Sequence, residues 1–212
     1  KAFYSHVPEL RHGAKTSSGV PVQVQLLGGN AVKVGLAAVN AHRAGATSID
    51  LNFGCPAPLV NKSDGGACLL KEPKRIFEII STVRSMVAKE IPVSAKLRLG
   101  WENPEEIYRN AIEVEHAGAS WITIHARTKT QGYRPPAYWK FIGDVRKSLS
   151  IPVIANGDIW SLEDLIRCQD ETGCIHFMIG RSAMANPALP LQISQYLKTG
   201  KRDTPSFEHS KA

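Results

Sequence analysis

Short apolar runs and longer amphipathic stretches alternate along this chain of 212 residues. Two kinds of apolar run recur. One enters through Pro-Val: Val20-Pro21-Val22-Gln23-Val24-Gln25, Ile91-Pro92-Val93-Ser94-Ala95-Lys96 and Ile151-Pro152-Val153-Ile154-Ala155-Asn156. The other follows a glycine: Ala44-Gly45-Ala46-Thr47-Ser48-Ile49-Asp50, Ala117-Gly118-Ala119-Ser120-Trp121-Ile122-Thr123 and Thr172-Gly173-Cys174-Ile175-His176-Phe177-Met178. Runs this short and this apolar read as parallel strands buried on both faces. The glycine ahead of the second kind marks where the preceding helix stops.

The amphipathic stretches predict helices over 31–43, 74–89, 104–116, 138–149 and 161–169. Asn103-Pro104-Glu105-Glu106 and Ser161-Leu162-Glu163-Asp164 supply two N-terminal signals. Strand then helix, six times and in three pairs, predicts a parallel α/β sheet, either doubly wound or closed as a (β/α)8 TIM barrel. The pairing favours the barrel, whose interior layers draw on alternate strands. Eight strands need one more pair, and nothing after Ile179 reads as a strand. The first two strands are therefore expected ahead of residue 1, leaving an incomplete barrel. Residues 1–196 are expected to form this partial barrel, with a lead-in over 1–20. Residues 197–212 are expected to be a linker or the start of a C-terminal helical domain. The opening Lys1-Ala2-Phe3-Tyr4 has no initiator methionine and no signal-like pattern, as in a piece of a longer protein.

Composition narrows the class. Hydrophobic residues make up 43% of the chain, too many for disorder. No run approaches the roughly 18 apolar residues of a membrane helix. Four cysteines without CxxC spacing read as reduced thiols of a cytoplasmic protein, and their spacing matches no zinc motif, so no metal is expected. The formal net charge of +7 suits an anionic partner, nucleic acid or phosphate, or else an ordinary basic surface. No Walker loop and no GxGxxG is present.

The chemistry gathers where strands end. Asp50-Leu51-Asn52-Phe53-Gly54-Cys55-Pro56 puts a thiol and an amide at one strand's C-terminal edge, and Pro56 keeps a helix from starting there. Gln25, Lys96 with Arg98, His125 with Arg127, and Asn156 end other strands. In Ala95-Lys96-Leu97-Arg98-Leu99 the alternation sends Lys96 and Arg98 to one face. For Lys96 the plainer alternative is a salt bridge to Asp50 or Asp158. For His125 it is a hydrogen-bonded core histidine. The loop Arg127-Thr128-Lys129-Thr130-Gln131-Gly132-Tyr133-Arg134 combines cations with an aromatic ring, as a nucleic-acid backbone and a stacked base require, or is a solvated charged loop. Asn156-Gly157-Asp158 and Ile179-Gly180-Arg181, leading into a short helix, form a two-loop phosphate cradle of the kind barrels carry.

In this order the motifs resemble the tRNA-dihydrouridine synthase family. They are Val24-Gln25-Leu26-Leu27-Gly28, Asp50 to Pro56 running on through Gly65-Gly66-Ala67, Lys96-Leu97-Arg98-Leu99-Gly100-Trp101, His125-Ala126-Arg127-Thr128, Asn156-Gly157-Asp158 and Ile179-Gly180-Arg181. Leu99-Gly100-Trp101 and Gln131-Gly132-Tyr133-Arg134 look most like the bacterial C-type subfamily. The resemblance implies an FMN-dependent reductase, with NADPH as reductant, converting a D-loop uridine of tRNA (position 16 for the C type) to dihydrouridine. It implies flavin contacts for Gln25, Lys96 and His125, and a phosphate site from Asn156, Gly157, Asp158, Gly180 and Arg181. It also implies Cys55 as general acid and Asn52 as an aid in placing the uracil. A free thiol, with an ordinary pKa of about 8.5, is mostly protonated at neutral pH and can donate. The target base has to leave its stack to meet it. Lys62, Arg98, Arg127, Lys129 and Arg134 are expected on a tRNA-binding rim, with Tyr133 as a further tRNA contact, and the protein is expected to be a monomer. Rival readings are a dihydroorotate or dihydropyrimidine dehydrogenase acting on free pyrimidines, a Schiff-base aldolase using Lys96, and a catalytically silent RNA-binding barrel.

Overall fold

The computed structural model describes residues 5–202. Among them six strands form one parallel sheet in strict chain order: β1 Val24–Leu26, β2 Ile49–Phe53, β3 Val93–Arg98, β4 Ile122–His125, β5 Val153–Asn156 and β6 His176–Met178. A doubly wound sheet reverses its strand order part-way along, and this one never does, so the layout is that of a barrel. The sheet is open, with β1 and β6 at its two ends.

Five helices cross between consecutive strands where the periodicity placed them: α1 Ala31–Arg43, α3 Pro73–Met86, α4 Glu106–His116, α5 Trp139–Ser148 and α6 Leu162–Thr172. Short α2, Pro58–Lys62, and a 3-10 turn at Gly66–Lys71 fill the connection after β2. Neither was predicted, because each is too short to carry a period. Helix α7, Arg181–Ala185, is the short helix expected after β6, and α8, Leu189–Thr199, runs across the expected boundary at 196/197. Most of the segment 197–212 lies outside the described residues. The first Pro-Val run is strand only over its last part: Pro21 lies in an isolated antiparallel bridge to Lys15, ahead of β1.

Two local signals act as the sequence implies. Ser161 and Asp164 close a reciprocal capping box at the start of α6. The stops Gly45, Gly118 and Gly173 all have positive φ, at 104°, 85° and 67°. The Asn103-Pro104 signal works differently. Asn103 accepts from the Glu105 amide in a turn, and α4 begins later with no side-chain cap.

Alternation along the strands divides the sheet into two unlike faces. Ile49, Leu51, Phe53, Val93, Ala95, Leu97, Ile122, Ile124, Val153 and Ala155 are buried in the core with the helices. Ile76, Ile79, Ile80 and Val83 of α3 answer them at i, i+3, i+4, i+7 spacing. Each fully buried aliphatic side chain contributes on the order of 1.5–3 kcal/mol. The opposite phase carries Gln25, Asp50, Asn52, Ser94, Lys96, Arg98, His125 and Asn156. One face therefore holds the fold together, and the other gathers polar groups toward the strands' C-terminal tips.

Candidate active site

The tips of β1–β3 carry a tightly bonded cluster around Cys55. Asn52 Oδ1 accepts from the amides of Gly54 at 2.9 Å and Cys55 at 3.0 Å, which folds the chain back just after β2. Asn52 Nδ2 donates to Gln25 Oε1 at 2.8 Å, and Gln25 Nε2 donates to Asp50 at 2.6 Å. The Cys55 carbonyl accepts from Asn61 Nδ2 and the Ala67 amide. Gly66, at φ 66°, lies so close that a Cβ there would sit 2.8 Å from the Cys55 oxygen. The thiol is thus half-buried on a loop held from both sides.

The other three cysteines do different things. Cys168 and Cys174 are fully buried in the core, and burial pushes the Cys168 thiol up to about 12. Cys68 is held above its usual range, chiefly by burial. Cys55 alone stands among the polar strand tips.

Arg98 and Arg127 are not on a rim. They are 2% and 1% exposed, which corrects the expectation that they meet a tRNA backbone directly. Arg98 donates to the carbonyls of Gly54, Thr128 and Gly132 at 2.9, 3.1 and 2.8 Å, tying the Cys55 loop to the loop after β4. Burial is the main cause that lowers its pKa. Arg127 donates to the Arg134 carbonyl and pairs with Asp158. Five fixed donors per guanidinium make arginine the residue for such cross-links. Arg134 and Lys62 are exposed, and Lys129 is half-buried with its ammonium 4.1 Å from the Trp101 ring centre.

A cleft of about 230 Å3 opens at the tips of β3–β6, lined by Lys96, His125, Tyr133, Asn156, Gly157, Asp158, Trp160, Gly180 and Arg181, among others. Register explains the gathering: Arg98 pairs with His125 across β3 and β4, and His125 with Asn156 across β4 and β5. Lys96 Nζ donates to Asn156 Oδ1 at 3.2 Å, and Asn156 Nδ2 donates to the Met178 carbonyl at 2.7 Å. No ion pair joins Lys96 to Asp50 or Asp158 among the described residues, and burial lowers its pKa to about 8. His125 is 8% exposed, and its Nδ1 has no partner within the protein. Burial first, then Arg98, Lys96, Arg127 and Arg181, lower its pKa to about 3, so the ring is neutral. The hydrogen-bonded core histidine is therefore not what the structure holds at Nδ1.

Gly157 turns at φ 118°, its carbonyl fixed by Trp139 Nε1 at 2.8 Å. Arg181 lies over the rings of Tyr133 at 4.4 Å and Trp160 at 5.3 Å, two cation–π contacts that hold the guanidinium at the mouth of the cleft. Tyr133, 53% exposed, sits between Arg98, Arg181 and His125. The sequence reading missed Trp160 and Ser94, and named Asp50 only within its motif and as a salt-bridge partner for Lys96. Asp50 shares its strand phase with Asn52, and Ser94 with Lys96, so the alternation applied to Lys96 and Arg98 reaches both. Among the described residues no three His, Cys, Asp or Glu side chains gather as a metal site, and no helix is long and apolar enough to cross a membrane.

Known proteins share this layout. The fold resembles that of 2-naphthoyl-CoA reductase with a TM-score of 0.62 at 14% identity, over 79% of this chain and 28% of that one. The sequence is 49% identical over 210 residues to the tRNA-dihydrouridine(16) synthase of Neisseria meningitidis serogroup B, covering 99% of this chain and 63% of that protein. It is 47% identical over 192 residues to the enzyme of the same name from Pseudomonas syringae pv. tomato, covering 91% and 61%. The chain thus spans less than two thirds of the length of these relatives. The pattern of the family described as Dihydrouridine synthase (Dus) matches residues 2–211. With its open barrel sheet, the loop of Cys55 and a match from nearly end to end, the chain belongs to the dihydrouridine synthase family.

Proposed function

We propose that this chain is the catalytic barrel portion of a tRNA-dihydrouridine synthase that reduces the uridine at position 16. The position is taken from the names of its relatives. The observation that carries the reading is the pairing of two neighbouring sites: a thiol on a braced loop, and a cleft whose lysine and histidine still have bonding capacity.

The cleft residues fit a flavin mononucleotide. His125 Nδ1 is buried and unpartnered, the Lys96 ammonium is close to its titration range, and Gly180 leaves open space beside Arg181. On this reading Lys96, His125 and Gln25 contact the ring system and its chain. Asn156, Gly157, Asp158, Gly180 and Arg181 hold the phosphate, with the Asp158 carboxylate held aside by Arg127. When bound, FMN supplies a hydride for uracil C6, with NADPH as its reductant. Cys55 gives the proton that C5 needs, from a loop whose backbone is held by Asn52, Asn61 and Ala67. Asn52, already bonded to Gln25 and the loop, acts on the uracil through its remaining N–H. Tyr133 offers a stacking surface for an unstacked base, and Lys62, Lys129 and Arg134 offer charge for the tRNA backbone. Arg98 and Arg127 act indirectly, by fixing the loops that carry those groups.

The test uses a D-loop-containing tRNA transcript with FMN and NADPH, with dihydrouridine mapped by mass spectrometry. Cys55→Ala is expected to keep FMN bound and to lose at least about a hundredfold in dihydrouridine formation, the usual weight of a general acid. Ordinary turnover by that variant sinks the acid assignment, and reduction of free uracil or orotate without RNA decides for the dehydrogenase. One observation favours the aldolase: a lysine lowered to about 8 is also what an imine-forming lysine needs. Borohydride trapping of substrate on Lys96, with no visible flavin absorbance, decides for it.

A further inference from the structure

The cluster beside Cys55 contains a hydrogen-bond chain with a single direction. Gln23 Nε2 donates to Ser94 Oγ at 3.0 Å, which leaves the serine hydrogen for Asp50 Oδ1 at 2.5 Å. The second carboxylate oxygen accepts from Gln25 Nε2 at 2.6 Å. Gln25 therefore turns its Oε1 to Asn52 Nδ2, and Asn52 turns its Oδ1 to the amides of Gly54 and Cys55. Gln25, Asp50 and Ser94 are partners across one register row of β1, β2 and β3, and Asn52 lies two residues on, on the same face.

A carboxamide rotated by half a turn keeps its shape but exchanges donor for acceptor. Gln25 is exposed and Asn52 half-exposed, so packing does not choose their orientation. Asp50 is 5% exposed, and as a carboxylate it can only accept. Were Asn52 reversed, its NH2 would face two backbone N–H groups and the turn before Pro56 would lose both bonds. We propose that Asp50 is a positioning residue: its carboxylate sets the orientation of the Gln25 and Asn52 amides, and through them holds the Gly54–Cys55 backbone that presents the thiol. What the thiol then does rests on the function proposed above. The relay does not, and backbone behaviour tests it without substrate.

The measurement is residue-resolved amide hydrogen exchange in flavin-free protein. Asp50→Asn keeps the shape and allows the reversed chain. It is expected to speed exchange at Gly54 and Cys55 about tenfold, with β4 and β5 as protected as in the wild type. Gln25→Glu combined with Asp50→Asn restores the direction, since the new amide donates to a carboxylate that again offers Asn52 only acceptors. Protection should return to within about threefold of wild type. Gln25→Met cuts the same link and leaves Asp50 bonded to Ser94. It is expected to expose the same two amides, which keeps the test decisive if Asp50→Asn does not fold. Unchanged exchange at Gly54 and Cys55 in these single variants overturns the relay. So does a rise spread evenly over the sheet, or a double variant no better protected than Asp50→Asn.

Discussion

Two groups of polar side chains share the strand tips and differ in how far they are bonded, although Asn61 Oδ1 and Arg127 Nη1 beside the first group also lack partners. Around Cys55, Asp50, Gln25, Asn52 and Arg98 bond to one another or to backbone. In the neighbouring cleft, His125 Nδ1 has no partner and Lys96 has one weak one at 3.2 Å. Burying polar atoms without partners costs about 1–3 kcal/mol each, so the difference is not neutral for the fold. The bonded group turns polar chemistry into geometry, and the open group keeps it available for a ligand. A residue's stability effect should therefore separate from its binding effect according to which group it belongs to.

The sharpest form of that comparison sets Arg98 against Arg181, two arginines over the same Tyr133 ring. Arg98→Ala removes the donor from three carbonyls, each orphaned acceptor costing about 1–3 kcal/mol, and is expected to lower unfolding free energy by about 3 kcal/mol or more. Arg181→Ala is expected to leave the urea midpoint where it was and to weaken FMN binding at least about tenfold. If both variants shift the midpoint alike, the division between the groups is wrong.

That Arg98 belongs to the bonded group was not legible in the sequence. The pattern gave the strands, the five crossing helices and the barrel order, because buried strands and amphipathic helices leave periods long enough to read. It also brought Lys96, His125, Asn156 and Arg181 to one cleft, since their shared strand ends are set by register. It could not tell exposed arginine from buried arginine. What buries Arg98 and Arg127 is loop backbone, Gly54, Thr128, Gly132 and Arg134, folding over them, and carbonyl positions leave no trace in residue type. The turn at 66–71 and helix 58–62 escaped because each is too short to carry a period, and the bonds of the Ala67 amide and the Asn61 side chain to the Cys55 carbonyl leave no pattern in the sequence.

Gly66 tests the geometric group from the loop side. An alanine there meets a φ of 66°, and its Cβ would press on the Cys55 oxygen at 2.8 Å and on its Cβ at 3.0 Å. Left-handed backbone at a residue with a side chain costs about 1–3 kcal/mol. Gly66→Ala is expected to destabilise by that amount and, because Cys55 must give way, to lower kcat more than it changes KM. A variant with wild-type kcat would mean that the thiol's position is not set by this contact.

The remaining expected effect belongs to the open group and has a sign fixed by titration. Lys96 in the folded chain titrates at about 8, lowered first by burial and then by Arg98, with Asp50 opposing. An unfolded lysine titrates at about 10.4. Between those values the unfolded chain holds the extra proton, so stability gains a rising contribution as pH climbs from 8 toward 10.4. Below pH 8 the buried ammonium is a standing cost. Wild type compared with Lys96→Met, unfolded in urea at pH 7.5 and pH 10, is therefore expected to be relatively weaker at pH 7.5, and the comparison cancels the titrating groups that do not interact with Lys96. An anion seated in the cleft pairs with the ammonium and favours its charged form, so saturating FMN should flatten the difference. A gap between the two proteins that is the same at both pH values would place Lys96 with the bonded residues instead.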